Sequence, residues 1–217
     1  MTVTVVGAGL AGCEAAWQLA GNGIAVELLE MKPHKKSPAH TSDDFAELVC
    51  SNSFRGDDLS NAVGLLKEEM RMLGSLIMQC ADETRIPAGG ALAVDRTRFA
   101  AMVTERINSH PLITVTEREA LDIPDGRVII ATGPLTADKL AEKLASLLPD
   151  KKLLSFFDSA APIVTFESVD MENAYFASRY GKGSADYINC PLSKDEYIAF
   201  HSELAAAEEA ELRGFED

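Results

Sequence analysis

The first thirty residues alternate between short apolar runs and a helical spacing of small side chains. Residues 3–6 form a β-branched run, and residues 25–30 form a second apolar run. Between them, small residues follow one another at steps of four from Gly12 to Ala20. Positions four apart share one face of an α-helix. The pattern therefore predicts a strand, a helix that ends near Gly23 and a second strand.

Apolar side chains spaced three and four apart predict another helix, of about twenty residues, with Ser60 as its N-cap. Its apolar stripe is expected to face the core and consists of Val63, Leu66, Met70, Leu73 and Ile77. Four more elements follow: a helix capped by Asp95 and ended by His110-Pro111, a strand over residues 112–116, a buried strand over residues 127–131, and a helix capped by Thr136 that runs to about Leu148.

Beyond residue 150 the pattern changes. Three strand-like runs, over residues 153–157, 162–166 and 185–190, have no helical pattern between them, which is typical of antiparallel pairing. Ser193 and Glu196 then form a capping box that opens a helix to about Leu212. We expect an α/β domain over residues 1–150 and the start of a smaller α+β domain over residues 151–217.

The turn after the first strand has the spacing GxGxxG, with glycines at positions 7, 9 and 12. In a dinucleotide-binding turn the first glycine turns the chain, the second leaves room for a pyrophosphate, and the third lets the helix lie close to the sheet. The phosphates then lie at the positive end of the helix. The alternative is an ordinary strand-helix-strand unit whose glycine turn binds nothing.

An acidic residue, Glu30, closes the second strand and can accept hydrogen bonds from a ribose diol, which favours FAD or NAD over NADP. Thr132 and Gly133 follow the strand predicted over residues 127–131. Ligands in open α/β sheets bind at the carboxyl ends of the strands, so this turn is also expected to lie at the ligand.

The chain has 217 residues, 47% of them hydrophobic, and a formal net charge of −14. That charge has the wrong sign for nucleic-acid binding over the whole surface, so such binding would need a local basic patch or a further segment. No apolar run approaches the ~18 residues of a membrane span. The start of the chain lacks the basic residues of a signal peptide, so a cytoplasmic location is expected.

None of the four cysteines has the spacing of a zinc site or of a disulfide framework. Cys13, Cys80 and Cys190 are expected to be structural. Cys50 lies between an apolar segment and the polar turn Ser51-Asn52-Ser53, where a buried and a functional thiol are equally well supported. His34 and His40 are expected to be solvated loop residues, and the lysines beside them to contact an anion.

With these residues placed, the sequence resembles the TrmFO family, the folate- and FAD-dependent tRNA (uracil-5-)-methyltransferases. The matching blocks extend over essentially the whole chain, and LVCSNS and PAGGALAV are the most specific. They are residues 5–17 (VVGAGLAGCEAAW), 30–33 (EMKP), 48–53 (LVCSNS), 87–96 (PAGGALAVDR), 131–136 (ATGPLT) and 185–191 (ADYINCP).

The resemblance implies a Rossmann-like FAD-binding domain of the glutathione-reductase type, truncated, with the smaller domain inserted. It implies that FAD binds Gly7, Ala8, Gly9, Leu10, Ala11, Gly12, Glu30, Thr132 and Gly133. It also implies methylation of a T-loop uridine of tRNA at C5, with methylenetetrahydrofolate as one-carbon donor, NAD(P)H as co-substrate and reduced flavin as electron source. Cys50 corresponds to one of two cysteines that the family is thought to use.

The family's second cysteine and its C-terminal flavin-contacting segment have no counterpart in this sequence. We therefore expect a fragment, roughly the N-terminal half of the enzyme, that is inactive alone. One alternative is the related tRNA-modifying flavoprotein of the glucose-inhibited-division type, which acts on the wobble uridine; Cys50 with Ser51-Asn52-Ser53 counts against it. The other is a non-catalytic FAD-binding module.

Overall fold

The computed structural model describes residues 1–147, 164–178, 181 and 183–208. Its contacts divide the chain into two units. The first unit consists of Met1–Ile86 and Ala91–Phe156, and the second of Pro87–Gly90 and Phe157–Asp217. The short segment Pro87–Gly90 therefore groups with residues far along the chain. The expected domain boundary at residue 150 stays a prediction.

The described part of the first unit contains strands and helices in alternation. In chain order they are β1 (Thr2–Val6), α1 (Leu10–Gly21), β2 (Ala25–Glu30), β3 (Ser53–Gly56), α2 (Ala62–Met72), α3 (Leu76–Glu83), β4 (Arg85–Ile86), β5 (Ala91–Val94), α4 (Arg96–Ser109), β6 (Ile113–Glu117), β7 (Val128–Ile130) and α5 (Asp138–Ser146).

Four strands form a parallel sheet in the order β6-β2-β1-β7, and β3, β5 and β4 form a small antiparallel sheet. In the parallel sheet Val5 lies opposite Leu28 on one side and Ile129 on the other. Because all four strands are parallel, their carboxyl ends meet at one edge. The sheet confirms the predicted α/β, Rossmann-like class.

Alternate side chains of the parallel strands enter two apolar clusters, as the two-residue period of a strand requires. Val5 and Leu28 belong to a large cluster that includes residues of α1, α3 and α4. Val6 and Leu29 belong to a smaller one that includes Leu140 of α5. The parallel sheet is thus covered on both faces, which explains why the consecutive residues Val5-Val6 and Leu28-Leu29 are apolar and buried.

The prediction of one long helix whose apolar stripe faces the core is wrong in two respects. Gly74 has φ +71 and separates α2 from α3, and each helix has its own cap, Asn61 for α2 and Ser75 for α3. Leu66 and Leu73 are 55% and 75% exposed. The apolar spacing continues from α2 into α3 although the helix ends between them. Gly74, in the left-handed conformation, ends α2 without interrupting the period of apolar residues in the sequence.

Other boundaries also differ from the prediction. β7 is an edge strand of the described sheet, and Ile129 is exposed, whereas residues 127–131 were expected to be buried. α5 begins after Ala137, and Thr136 instead donates to the Gly133 carbonyl oxygen. The strand β3 was not predicted, since its short polar sequence reads as a turn. Asp95 does cap α4, and His110 ends it, as expected.

In the second unit, β8 (Tyr175–Ala177) and β9 (Tyr187–Asn189) pair antiparallel, the pairing predicted for this region. β9 lies within the run predicted over residues 185–190, whereas β8 was not predicted. Tyr187 donates through its hydroxyl to the Ala88 carbonyl oxygen at 2.8 Å, and the Asp186 carboxylate accepts from the Gly89 amide at 2.7 Å. Gly89 has φ +58, and an added Cβ would lie 2.6 Å from the Tyr187 ring. The motif blocks PAGG and ADYINCP are therefore packed together.

The remaining predictions for this unit are met in part. Val164 to Ser168 form coil and a 3₁₀ turn (Phe166–Ser168) rather than a strand, and residues 153–157 lie outside the described residues. Ser193 and Glu196 form the predicted capping box of α6 (Lys194–Ala205), which ends before Leu212. Among the described residues, no helix has the length and apolar character needed to cross a membrane.

The first prediction compares two leucines. Leu76 is 0% exposed, so Leu76→Ala should lower the free energy of unfolding by about 2–5 kcal/mol through lost burial and a residual cavity. Leu66→Ala should change it by no more than about 0.5 kcal/mol, as is usual for surface positions. Urea denaturation followed by circular dichroism measures both. Equal losses would show that Leu66 faces the core after all.

Candidate functional site

The turn between β1 and α1 brings backbone groups into close contact. Gly7 has φ +96, and a Cβ there would lie 2.9 Å from the Ala131 carbonyl oxygen. A Cβ on Gly12 would lie 1.8 Å from the Gly7 carbonyl oxygen, which no side chain can tolerate. At Gly9, by contrast, an added Cβ would have no atom within 4 Å. The turn is thus closed on the protein side and open at Gly9.

The open side presents polar backbone groups. Gly9 is the N-cap of α1 and makes no side-chain capping hydrogen bond. The first N–H groups of a helix have no partner within the helix. The positive end of the helix dipole adds to them, so this turn is suited to an anion.

Glu30, at the end of β2, binds the turn from the neighbouring strand. One carboxylate oxygen accepts from the Ala8 amide at 2.8 Å and the other from the Lys32 amide at 2.9 Å. The residue is 7% exposed. Each carboxylate oxygen can accept a further hydrogen bond. Glu30 therefore holds the turn in shape and retains capacity for a ligand hydroxyl.

Residues 41–49 form a wall beside the turn. The Ala46 amide donates to the Ala8 carbonyl oxygen at 2.9 Å, although Ala46 must adopt φ +50 to do so. The Glu47 carboxylate accepts from the backbone and hydroxyl of Thr41 and from the Ser42 amide, which lowers its pKa against the effect of burial. The Lys32 ammonium binds the Asp44 carbonyl oxygen. The wall is thus joined to the turn by several independent bonds.

Between turn, wall and the carboxyl ends of the strands lies a cavity of about 270 Å³. The predicted binding residues Gly7, Ala8, Gly9, Leu10, Ala11, Glu30, Thr132 and Gly133 all line it. Gly12 lies beneath the turn, packed on Gly7, as its predicted packing function requires. The spacing therefore located the cavity, while the binding role of each residue stays a prediction.

Thr132 and Gly133 form a tight turn after β7. The hydroxyl oxygens of Thr132 and Thr136 are 2.6 Å apart, and the Thr136 hydroxyl donates to the Gly133 carbonyl oxygen at 2.7 Å. Gly133 has φ +66. These bonds hold the segment at the cavity without using the Thr132 and Gly133 amides.

Cys50 is exposed and is not among the lining residues, but its neighbour Val49 is. The Asn52 side chain donates to the Val94 carbonyl oxygen at 3.2 Å, and the Val94 amide donates to Asn52 at 2.9 Å. Cys50 thus follows a cavity-lining residue directly in the chain, in a segment held between Val49 and Asn52. The nearby lysines have other partners: Lys35 pairs with Glu119 and Lys36 with Asp43.

The other cysteines divide into two groups. Cys13 and Cys80 are fully buried, and burial raises the pKa of both thiols, that of Cys80 to about 11. Cys13 also donates to the Ala8 carbonyl oxygen at 3.3 Å. Their expected structural function is consistent with this. Cys190 is exposed, so its expected packing is wrong.

His40 is a residue whose environment the sequence did not predict. It is half-buried, lines the cavity and lies with Nδ1 2.6 Å from the Ser37 hydroxyl, whereas a solvated side chain was expected. Burial, with Lys32 nearby, lowers its pKa. His34 is exposed, as expected, 3.8 Å from Glu117.

Two charged lining residues, Arg118 and Glu119, were also missed. They directly follow β6, whose carboxyl end meets the same sheet edge as β1 and β2. Their position directly after a strand was the signal in the sequence that could have identified them. They line the cavity because β6 pairs parallel with β2. The cavity therefore carries both acceptors and cations, as an extended polar ligand with phosphates would need.

The comparison with known proteins is consistent with this geometry. The family described as Glucose inhibited division protein A matches residues 2–217. The chain belongs to this family. Within the solved structures, this family member is similar to Aquifex aeolicus GidA, at 19% identity and a TM-score of 0.50, over 61% of this chain and 25% of that one. That likeness concerns the fold alone.

Sequence relatives are much closer. The methylenetetrahydrofolate–tRNA-(uracil-5-)-methyltransferase TrmFO of Acetivibrio thermocellus is 59% identical over 215 residues, 99% of this chain and 49% of the relative. The protein of the same name from Anoxybacillus flavithermus is 57% identical over 216 residues, 100% of this chain and 50% of the relative. The chain spans about half the length of the curated relatives it matches.

The second prediction tests the contact between α1 and the turn. Gly12→Ala should lower the free energy of unfolding by about 1–3 kcal/mol or more, because its Cβ would overlap the Gly7 carbonyl oxygen. Gly21→Ala in the same helix meets no atom within 4 Å. It should be neutral or stabilise by up to about 1 kcal/mol. Urea denaturation decides, and a tolerated Gly12→Ala would contradict the packing.

Proposed function

We propose that this chain is part of an enzyme that methylates C5 of a T-loop uridine in tRNA. The enzyme uses methylenetetrahydrofolate as one-carbon donor, NAD(P)H as co-substrate and FAD as bound cofactor. The observation that carries the proposal is the identity of 59% to a protein named for this reaction, extending over 99% of the chain. The family's own name would also fit the alternative reaction at the wobble uridine. The methyltransferase relatives, at 56–59% identity, favour the T-loop reaction.

The cavity supports FAD as the occupant. The open position at Gly9 admits a pyrophosphate to the backbone, and the uncapped N-terminus of α1 supplies donors and a favourable dipole. Glu30 lies at the end of β2, where a carboxylate accepts from a ribose diol. Thr132 and Gly133 line the cavity from the turn after β7. The residues present therefore fit a dinucleotide.

Bound FAD would supply the electrons that reduce the transferred one-carbon unit to a methyl group. The chain's own contribution is binding and nucleophilic catalysis. C5 of uracil becomes nucleophilic only after a group adds to C6, and a thiolate suits that addition because it attacks readily and leaves readily. Cys50, which is exposed and follows cavity-lining Val49, is proposed as a thiol that takes part in the transfer, either by adding to C6 or by protecting and relaying the reactive one-carbon unit. The family's other cysteine is the stronger candidate for the addition to C6.

The third prediction concerns the cofactor. Glu30→Ala should weaken FAD binding by about 1–3 kcal/mol, since it removes hydrogen bonds to the ligand and to the Ala8 amide. Glu117→Ala is the control, because Glu117 lies opposite Glu30 on β6, is 55% exposed in its side chain and does not line the cavity. Flavin fluorescence titration gives both affinities. Unchanged affinity in Glu30→Ala would remove Glu30 from the binding site.

The fourth prediction concerns methyl transfer. Residues 1–217 should replace the corresponding half of the Bacillus subtilis relative, 56% identical over 215 residues, without loss of activity. Undermethylated tRNA would be incubated with the hybrid, NADPH and methylenetetrahydrofolate labelled at the methylene carbon, and 5-methyluridine measured by mass spectrometry. The label should appear in the T loop. Label at the wobble uridine would instead establish the alternative reaction.

In the same hybrid, Cys50→Ser should abolish methylation and leave the FAD content unchanged. Cys190→Ser is the matched control, because it removes the other exposed thiol. Near-normal methylation by Cys50→Ser would show that the thiol is not part of the reaction.

A further inference from the structure

His40 stands out among the cavity residues because its polar ring has a fixed orientation and no use in the proposed chemistry. It lines the cavity together with Gly9 and Leu10 of the turn. The wall that follows it is bonded directly to that turn, through the Ala46 amide and the Ala8 carbonyl oxygen. His40 therefore lies on the same cavity as the helix N-terminus.

Ser37 engages one ring nitrogen of His40. The Ser37 hydroxyl is buried, accepts from the Ala39 amide at 3.4 Å and lies 2.6 Å from His40 Nδ1. The His40 amide also donates to the Ser37 carbonyl oxygen at 3.2 Å. Either atom of the Ser37–Nδ1 pair can be the donor. Once the ring takes up a proton, both ring nitrogens carry N–H groups, so Nε2–H can then donate to a ligand.

Charged groups of both signs line the same cavity as this ring. Lys32 and Glu30 come from the end of β2, Glu47 from the wall, and Arg118 with Glu119 from the end of β6. Burial and then Lys32 lower the pKa of His40, whereas Glu47 and Glu30 act in the opposite direction. The ring is therefore neutral at pH 7. No hydrogen bond of Nε2 occurs within the part of the chain that the structure describes.

We propose that His40 binds the diphosphate of the dinucleotide through Nε2–H and takes up a proton when that dianion enters the cavity. The inference rests on the proposed function, which places FAD here. The His40 ring is a hydrogen-bond donor that can become a cation, and the diphosphate is the part of FAD that such a group suits. Glu30 already provides the acceptor for the ribose. An opposite charge within hydrogen-bond distance favours the imidazolium and so raises the pKa of the ring on binding.

This proton uptake makes cofactor affinity depend on pH. Free His40 is neutral above its lowered pKa, and the bound form holds a proton up to a higher pH. Between these two values, affinity should rise by up to about tenfold for each unit that the pH falls. Above the pKa of the bound form, affinity should be independent of pH because both forms are neutral.

The experiment is calorimetric titration of FAD into the flavin-free hybrid that carries the C-terminal half of the Bacillus subtilis relative, between pH 6 and 8.5. Buffers with different ionisation enthalpies count the protons taken up. ADP-ribose serves as a second probe, since it carries the diphosphate as a diester, with no phosphate that titrates near pH 7, and lacks the flavin. His40→Gln retains an N–H donor and cannot ionise. The matched control is His34→Gln, on the same loop but 70% exposed in its side chain.

Wild-type protein and His34→Gln should take up a fraction of a proton near pH 7 with either probe. His40→Gln should take up none, and its affinity for FAD should not change with pH over this range. Ser37→Ala should bind more weakly at every pH but still take up the proton, which keeps the test informative if His40→Gln fails to fold. Trp17 fluorescence monitors folding, because the indole packs edge-on against His110.

Proton uptake that persists in His40→Gln, or that occurs with FAD and not with ADP-ribose, would overturn the inference. If FAD binds at no pH, the cofactor assignment in the proposed function fails, and the inference fails with it. The two failures are therefore distinguishable by whether FAD binds at all.

Discussion

The contact between Gly12 and the Gly7 carbonyl oxygen is the constraint on which the rest of the site depends. A side chain at Gly12 would lie 1.8 Å from that oxygen, so only glycine lets α1 approach the end of β1 so closely. This approach directs the uncapped N-terminus of α1 at the cavity. It also places Ala8 where Glu30 from β2 and Ala46 from the wall can both bond it. A ligand site is thereby built from backbone groups whose position is set by packing.

The electrostatics of the cavity differ from those of the chain as a whole. The protein carries a formal net charge of −14, yet Lys32, Arg118 and His40 line the cavity that receives an anionic ligand in the proposed function. The carboxylates nearby are engaged: Glu30 and Glu47 accept from backbone amides, and Glu119 pairs with Lys35. Hydrogen bonds thus fix the positions of Glu30 and Glu47, and the ion pair with Lys35 offsets the charge of Glu119.

Similarity to known proteins and physical reasoning support different parts of the functional argument. The fold and the glycine turn support dinucleotide binding, which many families share. Only the close sequence relatives distinguish T-loop methylation from other flavoprotein chemistry. Cys50 connects the two arguments, because it belongs to the most specific motif block and lies beside Val49 at the cavity. Its exposure is compatible with access by a macromolecular substrate.

The sequence by itself determined the central strand-helix-strand unit, the carboxylate at its end, the cap of α4 and the capping box of α6. These features depend on local spacing and on hydrogen bonds between residues close in the chain, which a sequence pattern records. Most of the predicted cavity residues were found for the same reason, since Gly7 to Ala11 form one continuous turn.

Only the tertiary structure decided which residues from distant segments complete the site. Arg118 and Glu119 line the cavity because β6 pairs parallel with β2, a choice of partner that no local pattern specifies. His40 is half-buried because Ser37 and the wall enclose it, although its loop sequence is typical of solvent. Leu66 and Leu73 show the opposite case: they continue an apolar period, but Gly74 turns the chain and leaves them exposed. Periodicity records which side of an element is apolar, whereas burial depends on what packs against that side.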